Sequence, residues 1–525
     1  MLIADIPLHI RFSPFDDSLY VSRAYAFLTG NAWGAYDSHI LSKLPGMSIW
    51  LIANRLLGIP YLLGINLLYG IVGLLLLREA KKASVNHILL LIAYAIFLAN
   101  PITFSLGWAL VMREALSSVL IVALLAVSLN ILSEKSPKLL LRQLFILALL
   151  FAFSLILREE DKLLWIYLVL LAFGVGWFRR QIGIGPDLRA LGMIILIPAL
   201  CALALQSGLK TYNFVHYGEP ILNDYSEGEL PKLIATIRSV ASKTDNRMVM
   251  IPQDVLKTIQ PLLPEFSPVI DALPPPGQLT YSCKQSGVCN EWNTGYMIWW
   301  VKQHAAEAGL TPTLVSGQAY FRGVREHIEA LCASSALTCK RNGDGMFPPF
   351  ELRWSRAYLE ELTRVISMLL LPSVEGIPHD AQPVNGAKSL VSIYQQITMT
   401  SVTENFTFDR GNLNGMTWGV VLAEWRATIG FISGLVIMAT MSLATVALLW
   451  RWTMYPNVPL SPIFLLCSIF WIYSIFRILA LAYVAVFFGT YEPRIIFSTY
   501  TGLIILSFLA LWDWREARRK FRMEI

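Results

Sequence analysis

Nine stretches of this chain are apolar over a length that a single helix uses to cross lipid. They run 61–77, 88–106, 115–132, 143–157, 163–178, 190–205, 429–450, 461–488 and 495–511. A lipid-spanning helix needs roughly 20 such residues, because a bilayer core holds no water to hydrogen-bond the backbone. The stretches at 143–157 and 163–178 are short by that measure. Of the 525 residues, 15% are charged, against about 25% in an ordinary soluble domain. That excludes a disordered chain, a disulfide miniprotein and a nucleic-acid-binding module. The fold class expected is an all-α polytopic membrane protein. An apolar piece at 47–57, interrupted by Arg55 and followed by Gly58 and Pro60, reads as a juxtamembrane helix feeding the first stretch.

Lysine and arginine in short loops set orientation. Loops 78–87, 133–142, 179–189 and 451–460 and the tail 512–525 hold 15 of them, whereas 1–45, 107–114, 158–162 and 489–494 hold 7. The first set is therefore cytoplasmic, and the C-terminus with it. Segment 206–428 then lies outside. It carries 18 Lys/Arg and 21 Asp/Glu, so the net charge of +6 belongs to the membrane part. Residues 1–45 also fall outside with no apolar helix ahead of them, and a further upstream helix is expected.

Four parts follow. Residues 1–60 form a first outer loop with juxtamembrane helices, and 61–205 hold six spans. Residues 206–428 form a mainly α extracytoplasmic domain, and 429–525 hold three spans and a basic tail. Within 206–428, 3.6-residue periodicity marks helices at 229–242, 252–263, 295–308, 311–336 and 354–371. Cys201 and Cys467 sit in spans as small apolar packers. Cys283, Cys289, Cys332 and Cys339 fall in the outer segment, where four cysteines allow three pairings. Their spacings suit two short-loop disulfides in an oxidising compartment and lack the C-x2–4-C form of a zinc site.

Charges beside lipid are costly and invite a functional explanation. On this topology five groups emerge on the outer face: Asp16-Asp17, Lys43, Arg113-Glu114, the run 158–162 (Arg-Glu-Glu-Asp-Lys), and Arg494. A carboxylate can take the proton of an attacking hydroxyl, and several cations can hold phosphate as its charge grows. Together they suit transfer of a group from a lipid phosphate.

The stretch from Asp16-Asp17 to Tyr20, the Gly30-Asn31 pair, the element Lys43-Leu44-Pro45-Gly46 and the late Glu492-Pro493-Arg494 resemble motifs of the GT-C glycosyltransferases. That superfamily includes the aminoarabinose transferases of lipid A and the protein O-mannosyltransferases. The resemblance covers 12–205 best and 490–511 weakly. It implies a GT-C helical bundle in the inner (cytoplasmic) membrane of a bacterium, working on its periplasmic face. The donor would be a polyprenyl-phosphate-linked sugar, and the acceptor a glycan, glycolipid or glycoprotein hydroxyl. Asp16 matches the catalytic aspartate. Asp17 takes the second acidic position, which supports the first or helps hold a divalent metal, Mg or Mn. Lys43, Arg158 and, more weakly, Arg494 match cations that contact the donor phosphate. Asp37, His39 and Glu114 are read as shaping the acceptor pocket.

Each residue also has a plainer reading. Asp16 and Asp17 can cap the helix that begins near Ser18. Lys43 can snorkel to headgroups, and Arg494 can anchor anionic lipid. The 158–162 run can be a solvated turn, Arg477 a buried structural cation, and the pair Trp299-Trp300 an interface belt or a glycan-stacking surface. The rival classes are a lipid-linked sugar flippase or solute transporter, and a non-catalytic envelope assembly protein. Transport coupled to ions places acids inside spans, and the span interiors here hold none.

Overall fold

The computed structural model describes residues 8, 10, 16–83, 85–134, 136–183, 188–244, 246–275, 289–292, 294–340, 350–370, 388–400, 418–455, 458–488 and 493–524. Among the described residues the regular structure is helical, without a β-strand, and nine helices are long and apolar enough to cross a membrane. They fit an integral membrane protein packed in a lipid bilayer.

Helices α1 (Asp17–Leu28) and α2 (Gly46–Leu57) flank the first loop. They are followed by α3 (Tyr61–Lys82), α4 (His87–Leu98), the short α5 (Leu106–Ala109), α6 (Arg113–Ser133), α7 (Pro137–Leu157), α8 (Leu164–Gln181) and α9 (Leu188–Tyr217). α6 is apolar all round and accordingly lies at the centre of the bundle, packed on α3 and α7. α9 lies at the periphery and turns Leu196, Leu200 and Leu203 outward, as a lipid-facing helix should.

Two spans differ from expectation. α7 starts at Pro137, not at 143, and so has full spanning length; Lys138 and Arg142 ride in its first turns, where their long stems reach past the apolar boundary. α9 does not stop at 205. Its polar continuation to Tyr217 supports the first loop: the Trp33 indole donates to Asn213 Oδ1 at 2.9 Å, and the Tyr217 hydroxyl donates to the Gly34 carbonyl at 2.8 Å.

Segment 206–428 contributes α10 (Glu229–Ser239), α11 (Gln253–Ile259), α12 (Ser267–Ala272), α13 (Thr294–Glu307), α14 (Leu314–Ala333), α15 (Ser355–Leu370) and α16 (Lys388–Thr398). α10 to α14 bury a core of their own around Leu233, Ile237, Val301, Phe321 and Ile328. α14 opens on a capping box in which Thr313 and Ser316 satisfy each other's backbone donors. The Cys332–Cys339 disulfide closes the end of α14. Cys289 is also disulfide-bonded, and Cys283 lies outside the described residues. The segment is not one separate unit. α15 and α16 send Val365, Leu369, Tyr394 and Ile397 into the core of the bundle, α16 packing on α1 and α2.

The chain ends with α17 (Trp418–Met454), α18 (Pro462–Phe488) and α19 (Phe497–Glu524). The tail read as a basic extension is the end of α19. Arg451, counted above as a loop charge, is buried instead. Its guanidinium donates to the carbonyls of Tyr455, Val458 and Pro459 and lies 3.9 Å from Asp513. Three carbonyls and a carboxylate offset the cost of taking that cation out of water.

Candidate functional site

The five charged groups meet at one end of the bundle. Asp16 immediately precedes α1 and its backbone carbonyl accepts the first helical bond, from Tyr20. Its side chain does not cap the helix. The carboxylate is directed away from the helix, between two cations: Lys43 Nζ lies 3.9 Å from Oδ1 and Arg494 Nη2 lies 3.4 Å from Oδ2. Burial pushes the Asp16 carboxyl up, but Lys43, Arg494 and Arg113 together outweigh it and hold it below the usual carboxylate range. Asp16 is therefore ionised and partly open, with its side chain 24% exposed.

Lys43 is carried there by the loop before α2. The Lys43 carbonyl accepts from Arg23 Nη1 at 2.9 Å, tying the loop to α1. Three residues on, Gly46 lets α2 lie against the end of α7. A Cβ at position 46 would come 2.7 Å from the Ile156 carbonyl oxygen and 2.8 Å from the Leu157 α-carbon. The resemblance motif thus has a packing reason for its glycine.

Arg494 reaches in from the turn before α19 and bridges two acids, with Nε 3.9 Å from Glu114 Oε1 at the head of α6. Beside Glu114, Arg113 donates to Glu159 at 2.5 Å and to the Leu157 carbonyl at 3.4 Å. Glu159 also accepts from Asn223 at 2.9 Å, which links this end of the bundle to segment 206–428. The run 158–162 is not a solvated turn. Arg158 is buried against Glu160 at 3.4 Å, and Asp161 is buried against Arg477 at 3.2 Å. Arg477 also donates to the Tyr473 hydroxyl at 2.9 Å. Arg477 thus has the buried structural partner expected of it, and that partner sits level with the head of α8.

The remaining sequence-derived residues separate from this cluster. Asp17 is fully buried and hydrogen-bonds Tyr394 of α16, while neighbouring Ser18 lies 3.2 Å from the same hydroxyl. Asp16 and Asp17 therefore serve different partners. A metal needs converging donors, and no group of three or more Asp, Glu, His or Cys side chains converges among the described residues. The two carboxylates of the pair turn to separate partners, Asp16 to Lys43 and Arg494 and Asp17 to Tyr394. Asp37 is occupied with the loop backbone, accepting from the amides of His39 and Ile40 at 2.7 Å each, with the His39 ring at 3.9 Å.

Sequence reasoning missed a second cluster against the first loop. Lys302 of α13 and Asp224 form a buried ion pair at 2.6 Å. Burial pushes Asp224 up and Lys302 down, each partly offset by the other. Lys302 also donates to the Ile40 carbonyl at 3.0 Å, and the Asp224 amide donates to the Leu41 carbonyl at 3.0 Å. One turn before Lys302, the Trp299 ring lies 5.1 Å from Lys43 Nζ. The signal available was a lysine three residues after a tryptophan on one helix face.

The fold and this charge cluster describe a polytopic helical membrane protein with basic side chains gathered around an ionised aspartate. No family model, curated protein or solved structure matches the chain.

Proposed function

We propose that this protein is an inverting membrane glycosyltransferase of the GT-C type. It moves a sugar from a polyprenyl phosphate to an acceptor hydroxyl on the outer, periplasmic face of a bacterial inner membrane. The observation that carries the reading is the Asp16 carboxylate lying between Lys43 and Arg494 at the membrane end of a helical bundle. The first-loop motifs support it.

In this reading the acceptor oxygen attacks the anomeric carbon from the face opposite the phosphate. The sugar–phosphate C–O bond breaks, and its electron pair leaves with the polyprenyl phosphate. Asp16 takes the acceptor's proton. Its low proton affinity makes it a modest base, which suits a transition state in which departure of phosphate leads. Lys43 and Arg494 meet the charge that grows on the phosphate, each already desolvated on one side by the bundle. Glu114 engages the other edge of Arg494, whose Nη2 already donates to Asp16. Arg158 sits deeper, behind Glu160, and acts through the local field rather than by touching phosphate.

The test is release of undecaprenyl phosphate from a panel of undecaprenyl-phosphate-linked sugars by the purified protein, with envelope lipids and glycans as acceptors. Asp16→Asn is expected to lower turnover by a factor on the order of 100 to 10,000. Full activity in that variant sinks the reading.

A further inference from the structure

We propose that Trp299 is a positioning residue for Lys43, so that segment 206–428 completes the phosphate-binding half of the site. The proposal rests on the glycosyltransferase reading for its purpose but on packing alone for its substance.

Lysine is a point charge on a flexible four-carbon stem, and it settles on the nearest counter-charge unless something else holds it. Here that counter-charge is Asp16, yet Lys43 Nζ stands off at 3.9 Å, beyond hydrogen-bond distance. The ammonium lies instead over the Trp299 face, 5.1 Å from the ring centroid. A tryptophan face is the strongest aromatic attractor of a cation. Trp299 is itself packed by Tyr225, with ring centroids 4.3 Å apart. Holding the ammonium beyond hydrogen-bond distance of Asp16 keeps the ion pair open and leaves the lysine N–H groups for a phosphate.

The loop that carries Lys43 is held by the same segment. Leu41 has φ +62°, a left-handed conformation that a leucine adopts only when its surroundings impose it. The Leu41 carbonyl accepts from the Asp224 amide, and the preceding carbonyl, of Ile40, accepts from Lys302. Lys302 and Trp299 are one helical turn apart on α13, so the Ile40 carbonyl, three residues before Lys43, and the Lys43 side chain are gripped by one element. If α13 is not docked, both grips are lost together.

The experiment compares the wild type with Trp299→Phe, which keeps an aromatic face, and Trp299→Leu, which keeps apolar volume without one. Two readouts are taken in detergent. The first is the NMR signal of reductively methylated Lys43, assigned with Lys43→Arg; methylation keeps the charge, and the indole shifts the methyl resonances upfield. The shift is expected to vanish in the Leu variant and to persist, reduced, in the Phe variant. The second is binding of undecaprenyl phosphate, expected to weaken about threefold to tenfold in the Leu variant and to stay within about twofold in the Phe variant. A Lys43 signal unmoved by either substitution overturns the proposal. A signal that responds, in a protein that binds no undecaprenyl phosphate, removes the glycosyltransferase reading and leaves the positioning of Lys43 standing.

Discussion

Gly46 and Ile156 are in backbone contact: a Cβ added to Gly46 would stand 2.7 Å from the Ile156 carbonyl oxygen. Backbone on both sides leaves nothing to swing away. Gly46→Ala must push α2 off the end of α7, which costs about 1–3 kcal/mol, and it carries the Lys43 loop with it. The expected result is a lower melting temperature in detergent together with a fall of more than about tenfold in transfer, since small misplacements of positioning groups are expensive. A variant that melts and turns over like the wild type removes the packing account of this motif.

In the proposed reaction, protonation of Asp16 sets an acid limit on transfer. Its folded pKa lies below the ordinary value of 3.8, so the carboxylate is fully ionised at neutral pH and the rate should be flat there. Activity is lost only as pH falls through the depressed value. The stability contributed by its two ion pairs follows the same sign: it is present above the ordinary value and disappears as pH drops through the folded one. Lys43→Met removes one cation, so the acid limb of the pH–rate profile should move to higher pH. A limb that stays fixed, or moves to lower pH, contradicts the arrangement.

Asp161 and Arg477 form an ion pair with neither side chain reaching solvent. Removing one partner strands the other, which costs about 3–5 kcal/mol when the pair is buried. Arg477→Met should therefore be severely destabilised, and Asp161→Asn combined with Arg477→Met should recover most of the loss. Thermal melts of the single and double variants measure the coupling. Additive losses would mean that the two charges do not depend on each other.

The Cys332–Cys339 disulfide closes a short loop at the end of α14. Its backbone joins α10, with the Ala241 amide donating to the Thr338 carbonyl and the Lys340 amide to the Ser239 carbonyl. Loop-closure entropy gives such a crosslink about 2 kcal/mol. Cys332→Ser together with Cys339→Ser should speed hydrogen exchange in α10 and α14 while leaving α6 unchanged, because the α10–α14 core is distinct from that of the bundle. Equal acceleration in α6 would show that the two cores unfold as one.

The spans were legible because length and apolarity alone decide them in lipid: six of the nine candidate stretches lie wholly within one of the nine apolar helices, and the other three overrun one by one or two residues. What escaped was decided by partners distant in sequence. Arg451 read as a topological marker because nothing nearby announces the carbonyls of Val458 and Pro459 as its acceptors. Asp161 read as a solvated turn because its partner is 316 residues away. α16 went unseen because an 11-residue amphipathic pattern is short, and its apolar face is completed only by α1 and α2. In the candidate site, the gathering of Asp16, Lys43, Glu114 and Arg494 at one end followed from counting spans. The divergence of Asp16 from Asp17 did not, since adjacent residues on a helix start are separated only by the rotation of the backbone.

The contact between Asp16 and Arg494 spans 478 residues, and this has a consequence for synthesis. A ribosome that has delivered the first 450 residues to the membrane has made the acid and Lys43 but not the second cation. Until α18 and the turn before α19 arrive, Arg494 cannot compensate Asp16, which then lacks one of the two cations that contact it. On the proposed glycosyltransferase reading, the nascent chain stays unable to engage a lipid phosphate productively until nearly its whole length is inserted, and a chain cut short before α19 should be inert rather than partly active.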